Sequence, residues 1–282
     1  MVNSSSNPSS PTTNTVVNKV INTPTTSKPT HIRAKEITPS NAKFDTRDDL
    51  NYRFSIYHQN IRSLGGKINE LLLSLQAEAP HLICLTEHHL KEYDIANTHI
   101  PKYKLDANYC RHNLKQGGVC IFVCESIKFS NVNLLKHNKE QDIEIVAVQL
   151  KIQKSKLTVI CVYRAPCGNF KLFLNNLETI LNSLYSRNTE LIICGDININ
   201  YLESSNRKDQ LDSLLSTYNL TNIISFSTRI TNNSATIIDS IFIDNRRSCT
   251  IQSCPNGLSD HDGQSLFLPT ILIPKKSIKL TR

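Results

Sequence analysis

The chain has no tryptophan, one methionine and only 8 glycines in 282 residues. Its 9 cysteines never form a CxxC pair, which argues against a zinc ribbon or a dithiol redox motif. No apolar run is long enough to span a bilayer, so no membrane partner is expected. The N-terminus lacks an apolar signal core, and no internal repeat is visible. Cys84, Cys120, Cys124, Cys161 and Cys194 sit inside apolar runs, where cysteine serves as a small hydrophobe. Together these features fit a reducing, intracellular compartment.

A globally basic face is also missing, although the net charge is +8. The first 35 residues and the last eight each carry four basic groups and no acid, so the remaining 24 basic residues balance the 24 acids. Contact with a polyanion would therefore rest on local clusters and basic ends. Residues 1–50 are rich in Ser, Thr, Asn and Pro and contain no glycine. Such a leader buries too little apolar surface to offset its ordering entropy, so disorder is expected there. A folded domain is expected over 51–272, followed by a basic tail at 273–282. No obligate protein partner is visible.

Within 51–272, Tyr52 to His58 alternates like a half-buried strand, and Ile68, Leu71, Leu72 and Leu75 mark one face of a helix. Further strands are expected at 81–85, 118–124, 143–150, 157–163, 191–194, 236–243, 249–254 and 264–268. Phe170, Phe173, Leu174, Leu177, Leu181 and Leu184 form a second helical stripe, and Leu211 to Tyr218 a third. Many strands interleaved with few helices predict paired sheets flanked by helices.

Five polar clusters stand at the ends of the apolar runs: His58-Gln59-Asn60, Thr86-Glu87, Gly195-Asp196-Ile197-Asn198, Ile238-Asp239-Ser240 and Gly257-Leu258-Ser259-Asp260-His261. A carboxylate just after a buried strand, as at Glu87, is costly unless paired or bound to a cation, and oxygen ligands suit Mg²⁺. His88 and His89 read as loop or rim residues. In an extended segment Asp196 and Asn198 share one face, although a turn fits the same residues. His261 can move a proton if an acid holds its ring. Immediate neighbours rarely bond in that way, so Asp239 is the better orienting acid and Asp260 is left for the metal side. Tyr163 and Arg164, at a strand end, can donate to a phosphate; the alternative is a core phenol beside a solvated guanidinium. The stretch from Thr228 to Thr236, with Thr231 and Ser234, is either a DNA-backbone contact or a turn-rich loop.

These clusters, in this order, resemble the endonuclease/exonuclease/phosphatase superfamily. More narrowly, they resemble the apurinic-type endonuclease domain of insect non-LTR (LINE-type) retrotransposons. The resemblance rests on His58-Gln59-Asn60-Ile61-Arg62-Ser63-Leu64, Leu85-Thr86-Glu87, Gly117-Gly118-Val119, Val162-Tyr163-Arg164-Ala165-Pro166, Gly195 to Asn198, Arg229-Ile230-Thr231 through Phe242, and Leu258 to His261. It implies an α/β (α+β) four-layer sandwich of the DNase I-like type: two mainly antiparallel sheets flanked by helices. It also implies a Mg²⁺-dependent endonuclease, with Mn²⁺ as a substitute, whose DNA nick leaves a 3′-OH for target-primed reverse transcription. Under it, Glu87, Asn60 and Asp260 serve the metal; His261, Asp196, Asn198, Asp239 and Tyr163 are catalytic; Arg164, Thr231, Ser234 and Ser259 bind substrate. Nuclear location would follow from the substrate.

Two departures stand out. Arg62 occupies a position where repair enzymes of the superfamily often carry an acid, and no tryptophan is available to hold an extruded abasic sugar. No reverse transcriptase sequence follows Arg282, so either a stand-alone copy or a piece of a larger element is expected. Competing expectations are a phosphoesterase on small phosphates or lipids, and an inactive remnant that binds nucleic acid.

Overall fold

Strand β1, Phe54–Asn60, is buried at all seven positions, which is denser than a half-buried strand. The reason is that both of its faces are covered. Phe54 and Ile56 pack between two sheets, while Tyr57 packs under helices on the outer side. The computed structural model describes residues 54–152 and 155–269; the expected leader (1–50) and tail (273–282) lie outside these.

The first sheet contains β1, β2 (Leu82–Thr86), β3 (Tyr103–Tyr109), β4 (Val119–Cys124), β13 (Thr250–Cys254) and β14 (Gly263–Leu268). Their order is β13-β14-β1-β2-β4-β3. The second contains β5 (Phe129–Val132), β6 (Glu144–Ile152), β7 (Ser155–Tyr163), β8 (Thr189–Asp196), β9 (Leu220–Asn222) and β12 (Asp239–Asp244). Its order is β5-β6-β7-β8-β12-β9. Among the described residues, only β1–β2 and β7–β8 pair in parallel. Each of these pairs needs a crossover, and a helix supplies it: α1 (Ile68–Leu75) in the first sheet and α3 (Phe170–Leu184) in the second. Two shorter helices, α2 (Glu92–Ala96) and α4 (Asn206–Ser216), complete the outer layers. Asn169 and Ser205 cap α3 and α4 by accepting from the Leu172 and Lys208 N–H groups.

Three apolar clusters give the layering: α1 and α2 on the first sheet, the inter-sheet core, and α3 and α4 on the second sheet. The four-layer sandwich expected from the sequence is the observed fold. The unanticipated elements are edge or isolated pieces. β3, β5 and β9 flank their sheets, and β10 (Arg229–Thr231) with β11 (Ser234–Thr236) forms a separate hairpin. β3 does alternate in sequence, with Tyr103, Leu105, Ala107 and Tyr109 at every second position, and the sequence reading passed over it; β5, β9, β10 and β11 are only three or four residues long, too short to show a period.

His88 corrects the rim reading: it is fully buried. Its Nε2–H donates to the Tyr109 carbonyl (3.0 Å), and Nδ1 accepts from the Leu90 N–H (3.0 Å). Gly118 lies against the ring at φ +89°, where a Cβ would collide with the imidazole. Burial pulls the imidazole down to about 4, against about 6.5 in an unfolded chain. The unfolded state therefore takes up the proton first as pH falls. The stabilisation is complete above pH ~6.5 and is lost toward pH ~4, about 3 kcal/mol in all. Urea unfolding between those pH values should show a steeper loss for the parent than for His88→Gln. Parallel slopes would remove His88 from the acid sensitivity.

Candidate active site

Five strands bring their ends to one edge of the sandwich. β1 ends at Asn60, paired with Thr86 at the end of β2. In the second sheet β7 ends at Tyr163, paired with Asp196 at the end of β8, and Asp196 pairs with Asp239 at the start of β12. Gly195 is required here because a Cβ would collide with the Val162 carbonyl of β7. The sheets bring Asn60, Glu87, Tyr163, Asp196, Asp239 and His261 into one connected cluster.

Asn60 joins the sheets. Its Nδ2 donates to Glu87 Oε1 at 3.0 Å and to Asp196 Oδ2 at 2.7 Å. Its Oδ1 accepts from the Arg62 N–H at 3.1 Å. In this arrangement Asn60 positions two carboxylates, and its amide oxygen, the atom able to reach a cation, is already partly used. Glu87 Oε2 meets His89 Nε2 at 3.0 Å, so His89 belongs to the site although the sequence reading set it at the rim. Burial raises the Glu87 carboxyl, but bonds from His89, Asn60 and Tyr163 outweigh it and hold the group at about 2. Tyr163 stays a neutral phenol: burial, then the Glu87 and Asp196 carboxylates, push it well above its ordinary value.

Asp196 is fully enclosed, with Oδ1 accepting from the Asn198 N–H (3.0 Å). Burial first, then repulsion from Asp239, push its carboxyl up to about 8. Asp239 Oδ2 bonds His261 Nδ1 at 2.7 Å, leaving Nε2 as the free ring nitrogen. Burial would lower the imidazole, but the Asp239 carboxylate more than offsets it, and the group is raised. The expected Asp239–His261 pairing is the observed geometry.

Asp196, Asp239 and His261 each offer a ligand atom, all within 4.8 Å of one another. Asp239 Oδ1 is buried without a hydrogen-bond partner. Two carboxylates tied by one amide, with a third, Asp239, beside them and one of the three forced toward its protonated form, fit a divalent cation. Backbone strain gathers at the same edge. Arg62, Ser63, Glu87 and Asn198 have φ of +42°, +83°, +52° and +51°, a region costing side-chain-bearing residues of order 1 kcal/mol or more each.

Several expectations need correction. Arg164 is fully buried rather than solvated at a strand end. Its guanidinium donates to the carbonyls of Ile197, Ala165, Gly168 and Asn198 at 3.0–3.1 Å, so it clamps the loop carrying Asp196 and Asn198. Asn198 does not continue a strand beside Asp196. It turns into the left-handed region, and its Nδ2 donates to the Arg164 carbonyl (2.9 Å), leaving one N–H and the amide oxygen. Ser259 spends its hydroxyl proton within the loop, on the Asn60 and His261 carbonyls (2.6 and 3.1 Å), so it organises rather than binds. Asp260 does not face the acid cluster as a free ligand; Arg62 and Arg229 hold both of its oxygens (2.7 and 2.8 Å). Thr231 and Ser234 lie on the exposed β10–β11 hairpin, bonded to each other at 2.8 Å.

Sequence reasoning also missed two supports. Gln59 donates to the His261 carbonyl (2.8 Å), and the buried Thr228 Oγ1 accepts from the Asp239 N–H (3.1 Å). The available signal for Gln59 was three consecutive polar residues at the end of an apolar strand.

Two packed sheets with an acid–amide–histidine cluster at their shared edge make up a DNase I-like fold. Residues 157–264 match a family model described as endonuclease-reverse transcriptase. No curated protein matches the chain at a significant level. Among solved structures, the endonuclease domain of TRAS1, a telomere-specific non-LTR retrotransposon, is 14% identical with a TM-score of 0.61, covering 77% of this chain and 98% of that one. A 3′ phosphatase (NExo) from Neisseria bound to product DNA hairpin is 16% identical, with a TM-score of 0.60 over 76% of this chain and 99% of that one. An endonuclease/exonuclease/phosphatase family protein from Leptotrichia buccalis is 15% identical, with a TM-score of 0.57 over 76% and 99%. Over residues 157–264 the chain resembles the endonuclease-reverse transcriptase family, and across the rest of the described domain its likeness to the solved structures is one of fold.

Proposed function

We propose that the protein is a Mg²⁺-dependent DNA endonuclease whose nick leaves a 3′-OH able to prime reverse transcription. Among the site observations, the one that carries this reading is the pairing of the Asp239–His261 dyad with the Asn60-bridged Glu87 and Asp196 carboxylates. Such a set serves attack of water at phosphorus, with charge and protons handled from opposite sides.

In this reading Glu87 and Asp196, steered by Asn60, hold the cation, which neutralises charge on the phosphate when bound. His261, oriented through Nδ1 by Asp239, presents Nε2 to a phosphate oxygen. Tyr163 donates its phenol proton to the same phosphate, and the free N–H of the Asn198 amide helps to orient it. The Asp196 carboxyl, steered by the Asn60 amide and the Asn198 N–H, would also handle a proton of the nucleophile or the leaving oxygen through the oxygen not on the cation. The exposed β10–β11 hairpin, with Thr231 and Ser234, meets the DNA backbone beside the site. A nuclear location would follow from that substrate.

Supercoiled plasmid incubated with the full chain and Mg²⁺ should convert to the open-circular form carrying 3′-OH ends, and EDTA should stop it. A folded preparation that leaves plasmid intact in both Mg²⁺ and Mn²⁺, while releasing phosphate from small phosphoesters or lipids, would refute the DNA assignment.

A further inference from the structure

Arg62 stands just past the end of β1, on a turn where it and Ser63 both have positive φ. This turn is held tightly. Lys67 Nζ donates to the carbonyls of Ile61, Arg62 and Leu258 at 2.6–3.1 Å, and the Ser63 N–H donates to the Glu87 carbonyl at 2.8 Å. Arg229 begins the β10–β11 hairpin and forms an isolated bridge with His261. The Ile230 N–H donates to the Asp260 carbonyl at 3.2 Å, so hairpin and histidine loop are joined through backbone as well. Between the two arginines lies Asp260, with Oδ1 on Arg62 Nη1 and Oδ2 on Arg229 Nε.

The two arginine side chains are 49% and 37% exposed, and each bonds Asp260 through one nitrogen, leaving further N–H donors. One carboxylate between two guanidiniums leaves a net positive charge beside an acid-rich cluster. An ordinary surface ion pair needs neither a second arginine nor a strained, lysine-pinned turn. Planar guanidiniums with several free N–H groups match the paired oxygens of a phosphodiester.

We propose that Arg62 and Arg229, aligned by Asp260, form a clamp for a backbone phosphate of DNA next to the cleaved bond, and that Asp260 is a positioning residue rather than a metal ligand. The proposal rests on the endonuclease reading for its ligand. It gives Arg62, which stands where related repair enzymes often have an acid, a role that an acid could not fill.

Binding, kept separate from cleavage, tests it. A labelled duplex is titrated in EDTA with the full chain carrying His261→Ala, over a range of salt. Each phosphate contact contributes about 0.9 to the slope of log affinity against log salt. Adding Arg62→Ala and Arg229→Ala together should lower that slope by about 0.9, and each alone by part of it, while Arg62→Lys should largely keep it. Unchanged slopes in both alanine variants, with plasmid nicking by the parent intact, would overturn the clamp and leave the endonuclease standing. Lowered slopes beside a parent that never nicks would keep the clamp and overturn the endonuclease. For Asp260, the readout is the Mg²⁺ concentration that half-saturates the thermal shift. Asp260→Asn should leave it in place, and a several-fold rise would return Asp260 to the metal side.

Discussion

His261→Ala should slow plasmid nicking by about 10³-fold, in line with the 10²–10⁴-fold range for a positioned acid–base group. The ring is fixed before substrate arrives: Nδ1 is committed to Asp239 at 2.7 Å, and the loop carbonyl of His261 is held by Gln59 at 2.8 Å. Alanine removes the ring nitrogen that faces the phosphate in the proposed reaction, while the hydrogen bonds of the loop backbone remain. Asp239→Asn should approach the same loss. It removes the carboxylate that raises the imidazole and accepts at Nδ1, so the ring loses the charge-assisted bond that holds it. Time courses of open-circle formation, with circular dichroism to confirm the fold, measure both. Nicking within tenfold of the parent by a folded His261→Ala protein would displace His261 from the reaction.

The second large effect is expected at Glu87. Glu87→Gln should reduce nicking at least 10²-fold at ordinary Mg²⁺. The substitution keeps the shape and the Asn60 contact but removes the carboxylate charge that the site holds at about 2. A readout independent of activity is available. A cation that binds only the folded state adds about 1.4 kcal/mol of stability at ten times its Kd. For a domain of this size that is a rise of roughly 3–6 °C in Tm. The parent should show that rise with Mg²⁺, and Glu87→Gln should need far more metal to reach it. Equal metal-dependent shifts in the two proteins would remove Glu87 from the cation site.

The arrangement of the fold was largely readable. Deeply buried strands such as Leu82–Thr86 and Thr189–Asp196 are short apolar runs, and α3 has a clean helical stripe. Each buried run also ends abruptly in a polar residue, which marked Asn60, Glu87, Asp196 and Asp239. The reading failed where a residue's surroundings come from distant segments. Arg164 looks like a solvated or substrate-facing cation, yet the loop after β8 folds over it and supplies its carbonyl acceptors. Asp260 looks like a free acid beside a histidine, yet its partners are 198 and 31 residues away. His88 looks like a loop residue, yet Gly118 and Tyr109 close over it.

By itself, then, the sequence determined the apolar runs, and hence the strands and helices, and the identity and order of the groups at their ends. Those follow from local periodicity and from the cost of leaving a carboxylate at the end of a buried strand. Only the tertiary structure decided which groups answer one another: Asn60 to Asp196 across 136 residues, Asp239 rather than Asp260 to His261, and two arginines to Asp260. The pairing of a buried charge depends on what the opposite sheet presents at that level. That is fixed by strand register and by the packing of the two sheets, neither of which a single segment encodes.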